Sequence, residues 1–200
     1  MREKRILDHG YVELVSCSGS DTLIADTARI SYKGKLRRDV GELLKFLARH
    51  KHTTPFEHAF ITFKVKAPIF VFRQWHRHRT QSFCELSGRH VELPPECYIP
   101  PELSNSSSAK TVVKTAFEAY SKLLELGVRR ELARIILPLG TYSEMYASAN
   151  LWNWIRFLKL RLHKTAQREI RQYAEAIWSM LAEVYPESLK AWEYFLKEEP

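Results

Sequence analysis

The sequence has 200 residues, of which 45% are hydrophobic and 27% are charged, and its formal net charge is +8. This length and composition suffice for one sizeable core and show no second region of different character, so we expect a single domain over residues 1–200. No apolar run approaches the roughly 18 residues that a membrane-spanning helix needs, which argues against a membrane protein. The positive charge favours an anionic partner, whether nucleic acid, a membrane surface or small phosphorylated ligands.

The cysteines and the amino-terminal residues bear on where the protein works. Cys17, Cys84 and Cys97 are odd in number and form no CxxC spacing. The first residues, MREKRILDHGYVELV, lack the apolar stretch of a signal peptide. These features predict a cytoplasmic protein, because the cytoplasm keeps thiols reduced.

Hydrophobic periodicity in the first half predicts strands alternating with helices. The segment YVELV, residues 11–15, indicates a strand, and residues 20–31 and 38–52 carry apolar side chains at helical spacing. In AFITFKVKAP, residues 59–68, apolar and polar side chains alternate, which indicates a half-buried strand. Pro68 then suits the first turn of a helix that continues to residue 79.

The second half is predicted to be mostly helical. Residues 80–105 contain too many prolines and serines for a helix interior, and we interpret them as a long functional loop. Helical spacing resumes afterwards, with Gly127 as the C-cap of the first helix. The predicted helices cover residues 106–126, 129–138, 148–162 and 165–186, and a short one lies around Leu189, Trp192 and Phe195. The expected fold class is therefore α+β with a helical second half.

The densest cluster of cationic and hydrogen-bonding residues is RHRTQSFCELSGRH, residues 77–90. If its first three residues were helical, their side chains would point about 100° apart and would have to reach different partners. The remainder of the segment adds a carboxylate, a hydroxyl, a permissive backbone position and a guanidinium, at Glu85, Ser87, Gly88 and Arg89. A ribose and a phosphate need that set of groups, so the pattern favours a nucleotide site over a solvated basic turn.

Two other kinds of chemistry are open to this segment. A metal site would draw on ligands that match no common zinc spacing, namely His76, His78, Cys84 and His90. A nucleophilic pair would join Cys84 to His76 or His90. Both are weaker hypotheses than the nucleotide site, and we expect no metal.

Several residues outside this cluster could also serve a site. Arg134 and Arg161 lie among apolar neighbours in LARIILPLG and LKLRLH, so each needs an anionic partner, either a ligand or a carboxylate in a core salt bridge. In HKHTTPFEH, residues 50–58, Thr54 and Glu57 have the spacing of a capping box, which favours a structural role. The aromatic stripe Trp152, Trp154 and Phe157 is more typical of packing.

The stretch RHRTQSFCELSGR resembles the signature of the flavin-dependent thymidylate synthases, RHR followed by seven residues and Ser, with Ser87 as that serine. The segments ILDHGYVELV, ARISY, TPFEH, FKVKAPIFVFRQW, ELARIILPLG and REIRQYA resemble other blocks of this family in the same order. The resemblance therefore spans essentially the whole chain. It implies a thymidylate synthase-complementing-protein-like fold with a mixed sheet and a helical bundle, and a homotetramer whose active sites are shared between subunits.

The resemblance also implies a reaction. A methylene group passes from 5,10-methylenetetrahydrofolate to C5 of dUMP, and FADH2, regenerated by NADPH, supplies the hydride that completes dTMP. No enzyme nucleophile is needed. A fixed cation beside the pyrimidine would make C5 a better nucleophile by stabilising charge on N3 and O4, and removing such a group commonly costs about 10²–10³ in rate.

Residue by residue, the resemblance assigns roles within this chain. The catalytic residues are Arg161, at the uracil edge, and Ser87. The dUMP-binding residues are Gln74, Arg77, Glu85, Leu86, Ser87, Gly88, Arg89, Arg134 and Arg161, with Arg134 on the phosphate. The FAD-binding residues are Ser31, His52, Thr54, Arg77, His78, Arg79, Thr80, Asn150 and Arg156.

The chain departs from the family pattern at a few positions. Cys84 stands where Asn is usual, His90 where Tyr is usual, and Trp152 where an FAD-binding Arg is frequent. We suggest that Arg156, one helical turn on, supplies the charge lost at Trp152. The departures leave open a related flavin-dependent one-carbon transfer to another pyrimidine nucleotide.

An alternative from another class is a basic nucleic-acid-binding module. Such a protein would bind with steep salt dependence and would hold no chromophore. Glu57 and Glu85 within the predicted site argue against it, as does the lack of basic residues along one helix face. We therefore expect small-molecule substrates and no nucleic-acid partner.

Overall fold

The structure is a computed structural model that describes residues 2–33 and 38–197. Five strands form one sheet, namely β1 (Glu3–Ile6), β2 (Gly10–Ser18), β3 (Phe60–Pro68), β4 (Ser82–Glu85) and β5 (Tyr142–Asn150). The helices in these residues are α1 (Asp21–Arg29), α2 (Val40–Arg49), α3 (Ile69–Trp75), α4 (Ser107–Glu125), α5 (Arg130–Ala133), α6 (Leu151–Arg161), α7 (Arg168–Val184) and α8 (Pro186–Lys197). Short 3₁₀ turns lie at Ile30–Tyr32, Thr54–His58, Pro101–Leu103 and Arg134–Ile136. The α+β class is confirmed.

The sheet is antiparallel in all of its described pairings rather than mixed. Its strand order is β1-β2-β3-β5-β4. The chain leaves β2 at Ser18, forms α1 and α2, and returns at Phe60 directly opposite Ser18. It leaves β3 at Pro68 and returns at Tyr142, again opposite. Each long connection begins and ends at the same end of the strand pair that it joins. The returning strand must therefore run antiparallel to the strand that the chain left.

Three expectations about individual segments need correction. The helix expected to reach residue 79 ends at Trp75, where the chain enters a turn. The expected loop 80–105 contains β4, which pairs with β5. Strand β5 itself falls in the half expected to be helical, because its inward residues include Ala147 and Ala149, whose small side chains give little apolar periodicity.

The core lies between the sheet and the helices α6 and α7. The alternation predicted for β3 is confirmed, since Ile61, Phe63 and Val65 are fully buried. The Phe63 ring meets the Trp154 ring of α6 edge to face, with centroids 4.9 Å apart. The prediction that the α6 aromatic residues serve packing is confirmed for Trp154 and Phe157, both fully buried. From α7, the predicted stripe buries Ile170, Tyr173, Ile177 and Leu181.

A smaller cluster positions the segment that carries Arg134. Phe117 and Tyr120 of α4 are buried against Ala133 of α5. The Tyr120 hydroxyl accepts a hydrogen bond from the Leu93 backbone N–H at 3.2 Å, which attaches α4 to the segment after β4. Arg134 comes directly afterwards in a 3₁₀ turn, so its backbone position is set by this cluster.

The amino-terminal end of α8 is capped by a residue from another helix. The Asp21 carboxylate, at the start of α1, accepts hydrogen bonds from the backbone N–H of Glu187 at 2.8 Å and of Ser188 at 3.0 Å. The Ser188 hydroxyl also donates to it at 2.5 Å. The first turn of a helix has unpaired N–H groups and a partial positive charge, and this carboxylate satisfies both. Asp21 therefore ties α1 to α8.

None of the helices in residues 2–33 and 38–197 is both long and apolar enough to cross a membrane. The expectation of one domain over residues 1–200 stays a prediction. The core shared by the sheet, α2, α6, α7 and α8 supports it.

Asp21→Ala should lower the free energy of unfolding by about 1–2 kcal/mol, because it leaves the first N–H groups of α8 without their acceptor. Urea unfolding followed by circular dichroism measures the change. Asp26→Ala is the matched control, since Asp26 is an exposed carboxylate on the same helix that pairs with Arg29, and it should cost less than about 1 kcal/mol. Equal losses for both variants would contradict the capping role.

Candidate active site

The turn after α3 presents the RHR residues. The Trp75 indole N–H donates to the Gln81 side-chain oxygen at 3.0 Å, and the His78 backbone N–H donates to the Trp75 carbonyl at 2.9 Å. These bonds close the turn directly after the helix. Arg77, Arg79 and Thr80 consequently have exposed side chains, and His78 is half-buried.

A cavity of about 510 Å³ begins where β4 ends, and we call it the β4 cavity. Its lining includes most of the residues predicted to bind dUMP, namely Glu85, Leu86, Ser87, Gly88 and Arg134. Pockets of roughly 300–1,000 Å³ are typical of small-molecule sites. The cavity thus joins a segment of the RHR motif to an arginine that lies far along the chain.

The Ser87–Gly88 turn is held by backbone hydrogen bonds. The Ser87 carbonyl accepts from the N–H groups of His90 at 2.9 Å and Val91 at 3.1 Å. A side chain at Gly88 would come within 3.2 Å of Arg134 Cδ, so the absence of a Cβ lets the arginine lie directly beside the turn. The result is a hydroxyl, a bare stretch of backbone and a cation within one wall of the cavity.

The two arginines expected near the phosphate have different surroundings. Arg89 Nε lies 2.9 Å from Glu131 Oε2, so its charge is already paired. Arg134 makes no ion pair or hydrogen bond through its side chain within residues 2–33 and 38–197. The core salt bridge that the sequence left open for Arg134 does not form among the described residues, because its side chain is exposed and lines the cavity. Its missing partner is therefore not a core carboxylate of the described chain.

Arg161, His78 and Gln74 form a second cluster. Arg161 Nε donates to His78 Nε2 at 2.9 Å, and an Nη2 of the same arginine donates to the Gln74 carbonyl at 2.7 Å. The Gln74 side chain donates to the Gln167 side-chain oxygen at 2.6 Å. Arg161 is half-buried and these contacts are with neutral groups, so the core salt bridge is excluded for it among the described residues.

His78 is held in its neutral form. Burial, assisted by the charges of Arg161 and Arg156, lowers the pKa of His78 to about 4. Since Nε2 accepts from Arg161, the proton of the neutral ring must be on Nδ1. His78 thus offers a ligand one N–H donor, and Arg161 keeps unused N–H donors beside it.

A third group of predicted residues meets in another cavity. Ser31, His52 and Thr54 line a space of about 810 Å³ between α1, α2 and the 3₁₀ turn Thr54–His58, which we call the α1–α2 cavity. The hydroxyls, the imidazole and the nearby Arg38 and Lys51 suit the phosphates and hydroxyls of a nucleotide cofactor. The residues present therefore fit a flavin nucleotide.

The capping box expected at Thr54 and Glu57 does not form. The 3₁₀ turn Thr54–His58 has no side-chain cap among the described residues. Thr54 instead lines the α1–α2 cavity, which favours a binding role over the structural one.

The cofactor residues predicted at α6, Asn150 and Arg156, are absent from the lining of the α1–α2 cavity. The Asn150 side-chain oxygen caps α6 by accepting from the Asn153 N–H at 2.9 Å, so it already has a structural task. Trp152 packs against Trp192 and Phe195 of α8, at ring distances of 4.7 and 5.7 Å. Arg156 is exposed, and its charge acts on His78.

The described chain does not bring all predicted dUMP residues together. Ser87, Gly88 and Arg134 line the β4 cavity, whereas Gln74 and Arg161 meet at His78 and are absent from its lining. No single cavity in the described chain therefore contains all of the residues that were predicted to bind one dUMP molecule.

Two polar residues at the end of α3, Arg73 in the helix and His76 directly after it, line the β4 cavity without having been predicted for it. Sequence reasoning did not place Arg73 in the site, and it took His76 only as a metal or base candidate. Their spacing of three residues on one predicted helix was the signal that could have identified them, since such residues share a face.

No group of three or more His, Cys, Asp or Glu side chains within the described ranges is arranged to hold a metal ion.

Comparison with known proteins identifies relatives over nearly the whole chain. A family model described as "Thymidylate synthase complementing protein" matches residues 13–187. The flavin-dependent thymidylate synthase of a Thermus thermophilus strain is 43% identical, over 96% of this chain and 79% of the relative. The enzyme of the same name from Thermotoga neapolitana is also 43% identical, over 93% of this chain and 92% of the relative.

Solved structures agree with the sequence comparison. The UMP/dUMP methylase PolB from Streptomyces cacaoi, bound with 5-Br dUMP, superposes with a TM-score of 0.89. Its sequence is 34% identical, and the match covers 98% of this chain and 100% of PolB. The same methylase bound with 5-Br UMP gives a TM-score of 0.84.

The pKa of His78 should be about 4 in the folded protein, against an ordinary value of 6.5. The unfolded chain then binds more protons between these values, so stability should fall as the pH drops from 6.5 towards 4. A pH titration of the imidazole signals by NMR measures the pKa. Arg161→Ala should raise it, because a neighbouring positive charge is removed, whereas Arg5→Ala, at an exposed arginine of β1, should not. A His78 pKa at its ordinary value would contradict this electrostatic arrangement.

Proposed function

The chain belongs to the family of thymidylate synthase complementing proteins, and we propose that it is a flavin-dependent thymidylate synthase, a methyltransferase that converts dUMP to dTMP. The observation that carries the proposal is the β4 cavity, where the signature Ser87 and Gly88 lie beside Arg134. A cation without a partner among the described residues, next to a hydroxyl and a bare backbone turn, suits a phosphate.

In this proposal the β4 cavity holds the phosphate and sugar of dUMP. Arg134 and the Ser87–Gly88 turn bind the phosphate oxygens, and Glu85 accepts a hydrogen bond from the sugar hydroxyl. Leu86 lines the same cavity beside them. Arg89 orders the turn through its ion pair with Glu131, a positioning role rather than the direct contact that the resemblance implies.

Arg161 is proposed to act on the pyrimidine ring. When C5 attacks the one-carbon unit, negative charge develops on the ring oxygens and nitrogen, and a fixed guanidinium stabilises it. The bonds to His78 and to the Gln74 carbonyl hold the guanidinium in place before substrate arrives. Because His78 is neutral, it does not compete with Arg161 for the developing negative charge.

The cofactors follow from the reaction class. FAD, when bound and reduced by NADPH, supplies the hydride that turns the transferred methylene into a methyl group, and 5,10-methylenetetrahydrofolate supplies the carbon. We propose that Ser31, His52 and Thr54 hold the flavin nucleotide in the α1–α2 cavity. Arg77, His78, Arg79, Thr80 and Arg156 would contact it from the second cluster, and Asn150 contributes chiefly by capping α6.

We propose that the enzyme is a homotetramer of the cytoplasm whose active sites combine residues of different subunits. The support is the separation of the dUMP residues within one chain. Arg134 and Ser87 line one cavity and Arg161 lies outside it, yet one nucleotide must contact all three. A second copy that presents its β4 cavity to the Arg161 cluster would complete the site.

One observation favours UMP as a second acceptor of the methyl group. PolB is described as a methylase of both UMP and dUMP and has been solved with a 5-bromo analogue of each. Methylation of UMP by this chain is therefore the alternative function within the same chemistry. The two nucleotides differ only at the 2′ position, so the assay should offer both.

The decisive experiment is an anaerobic optical titration of the FAD-loaded protein with NADPH, followed by dUMP and methylenetetrahydrofolate. We expect the flavin to be reduced, then reoxidised in step with dTMP formation. Arg161→Ala should lower turnover by about 10²–10³ while flavin is still bound, because charge stabilisation is lost. If no dTMP forms from dUMP, but methylated UMP forms when UMP is supplied and the flavin is reoxidised, UMP would be favoured as the methyl acceptor.

Cys84→Ser separates this mechanism from a thiol-addition route. Cys84 is exposed on β4, and its exchange should leave turnover within about threefold of wild type because no thiol takes part. Complete loss of turnover with intact ligand binding would instead indicate a covalent thiol mechanism.

Arg156→Ala should weaken FAD binding by about tenfold, since a cation near the cofactor would be lost. Fluorescence titration of the apoprotein with FAD measures the dissociation constant. Arg168→Ala removes an exposed arginine that pairs with Glu102, and it should leave FAD affinity unchanged. An unchanged affinity in Arg156→Ala would disprove the compensation for Trp152.

A further inference from the structure

A third cavity, of about 440 Å³, lies between α2 and α8 and contains none of the residues predicted for the active site. We call it the α2–α8 cavity. One wall is formed by Lys45 and Arg49 of α2 with Lys51 just beyond it, and the other by Lys190 and the aromatic residues of α8. The Asp21 cap described above holds the start of α8 against α1, which fixes this second wall.

The charges around this cavity are not neutralised within the described chain. Lys45, Arg49, Lys51 and Lys190 form no ion pair or side-chain hydrogen bond with any described residue, and no Asp or Glu of the described ranges lines the cavity. Some surface cations elsewhere are paired, for example Arg89 with Glu131. Four like charges facing one space repel each other, so an anion bound there would relieve the repulsion.

The aromatic wall adds a surface for a planar ring. The Tyr194 side chain is 76% exposed and has no ring partner among the described residues. Phe195 is already covered on one side by the Lys159 ammonium, 3.9 Å from its centroid. Trp192 is fully buried, yet its indole N–H has no acceptor in the described part of the chain. Unmatched buried donors are rare and commonly mark a site for a ligand or water.

Lys51 connects this cavity to the proposed flavin site. It lines both the α2–α8 cavity and the α1–α2 cavity that contains Ser31, His52 and Thr54. Its φ angle is 55°, a left-handed conformation that non-glycine residues rarely adopt. Strained backbone of this kind is often found at ligand sites.

We propose that the α2–α8 cavity binds a nucleotide with two or more phosphate charges, its phosphates on Lys45, Arg49 and Lys190 and its base on Tyr194. The volume suits one nucleotide and not a strand of nucleic acid, which would need an extended groove. The ligand is either a free adenine nucleotide or the phosphorylated adenosine half of NADPH. Only the second source rests on the proposed function.

Binding of ADP to the FAD-loaded protein tests the site, because bound FAD prevents ADP from entering the flavin site. Isothermal titration calorimetry should show ADP binding more tightly than adenosine. The double variant Lys45→Gln, Lys190→Gln should weaken ADP binding by about tenfold. The charge-matched control Lys110→Gln, Lys164→Gln, on exposed lysines outside the cavity, should leave it unchanged.

The aromatic contribution is tested at Tyr194. Tyr194→Ala should weaken ADP binding by about tenfold while leaving the binding of pyrophosphate unchanged, since only the base is stacked. Tyr194→Phe keeps a ring and should bind ADP like the wild type. Circular dichroism of each variant, compared with that of the wild type, separates a lost contact from a folding defect.

The source of the nucleotide is decided by kinetics. A raised KM for NADPH in the lysine double variant, with normal dTMP formation when dithionite replaces NADPH, would identify the reductant as the ligand. An unchanged KM for NADPH with weakened ADP binding would identify a free adenine nucleotide. If dithionite-reduced wild type forms no dTMP while ADP binding still depends on the lysines, the proposed function fails and the site stands.

Two results would overturn the site. The first is an ADP affinity that does not depend on the phosphates or on the lysines: ADP binds no more tightly than adenosine, or its affinity falls equally in the lysine double variant and in the control. The other is a single-stranded oligonucleotide that binds better than ADP and loses affinity in the same variant, which would make the cavity part of a nucleic-acid surface.

Discussion

The pairing of β3 with β5 fixes where the other parts of the site can lie. The two strands, each nine residues long, pair from Phe60 opposite Asn150 to Pro68 opposite Tyr142. Helix α3 continues from one end of this pair and α6 from the other, and their last turns meet where Arg161 contacts Gln74 and His78. The strands span about 30 Å, and helices of 7 and 11 residues together span about 27 Å. A shift of register would separate Arg161 from His78.

Two of the cavities contain positive charge that has no acidic partner in the described chain. Arg134 in the β4 cavity and the four cations of the α2–α8 cavity have no acidic partner in the described chain, whereas Arg89, Lys64 and Lys66 do. A protein of net charge +8 must leave some cations unpaired, but it need not collect them in cavities. Their concentration in concave spaces, where field lines converge, suits phosphorylated ligands.

The packing of α8 explains why a tryptophan can stand at position 152, where the family pattern often has an arginine. Trp152 joins Trp192 and Phe195 in a cluster that seals α6 against α8, so the position serves packing where the family pattern often has a cofactor-binding arginine. The same cluster supports the aromatic wall of the α2–α8 cavity. In the proposed function, the same exchange would remove one cation from the flavin site, and in the structure it adds an aromatic contact between α6 and α8.

The features that could be predicted from the sequence are local ones. The alternation in β3, the apolar stripe of α7 and the RHR motif with its serine could be read directly, because each depends on neighbours a few residues apart. Strand β5 could not, since small alanines carry its inward face, and neither could the end of α3 at Trp75. Three features are visible only in the tertiary structure. Arg134 lies beside Gly88, Arg161 donates a hydrogen bond to His78, and Arg73 lines the β4 cavity. They join residues far apart in the chain, and they form only when strand register and helix length bring those residues to the same place.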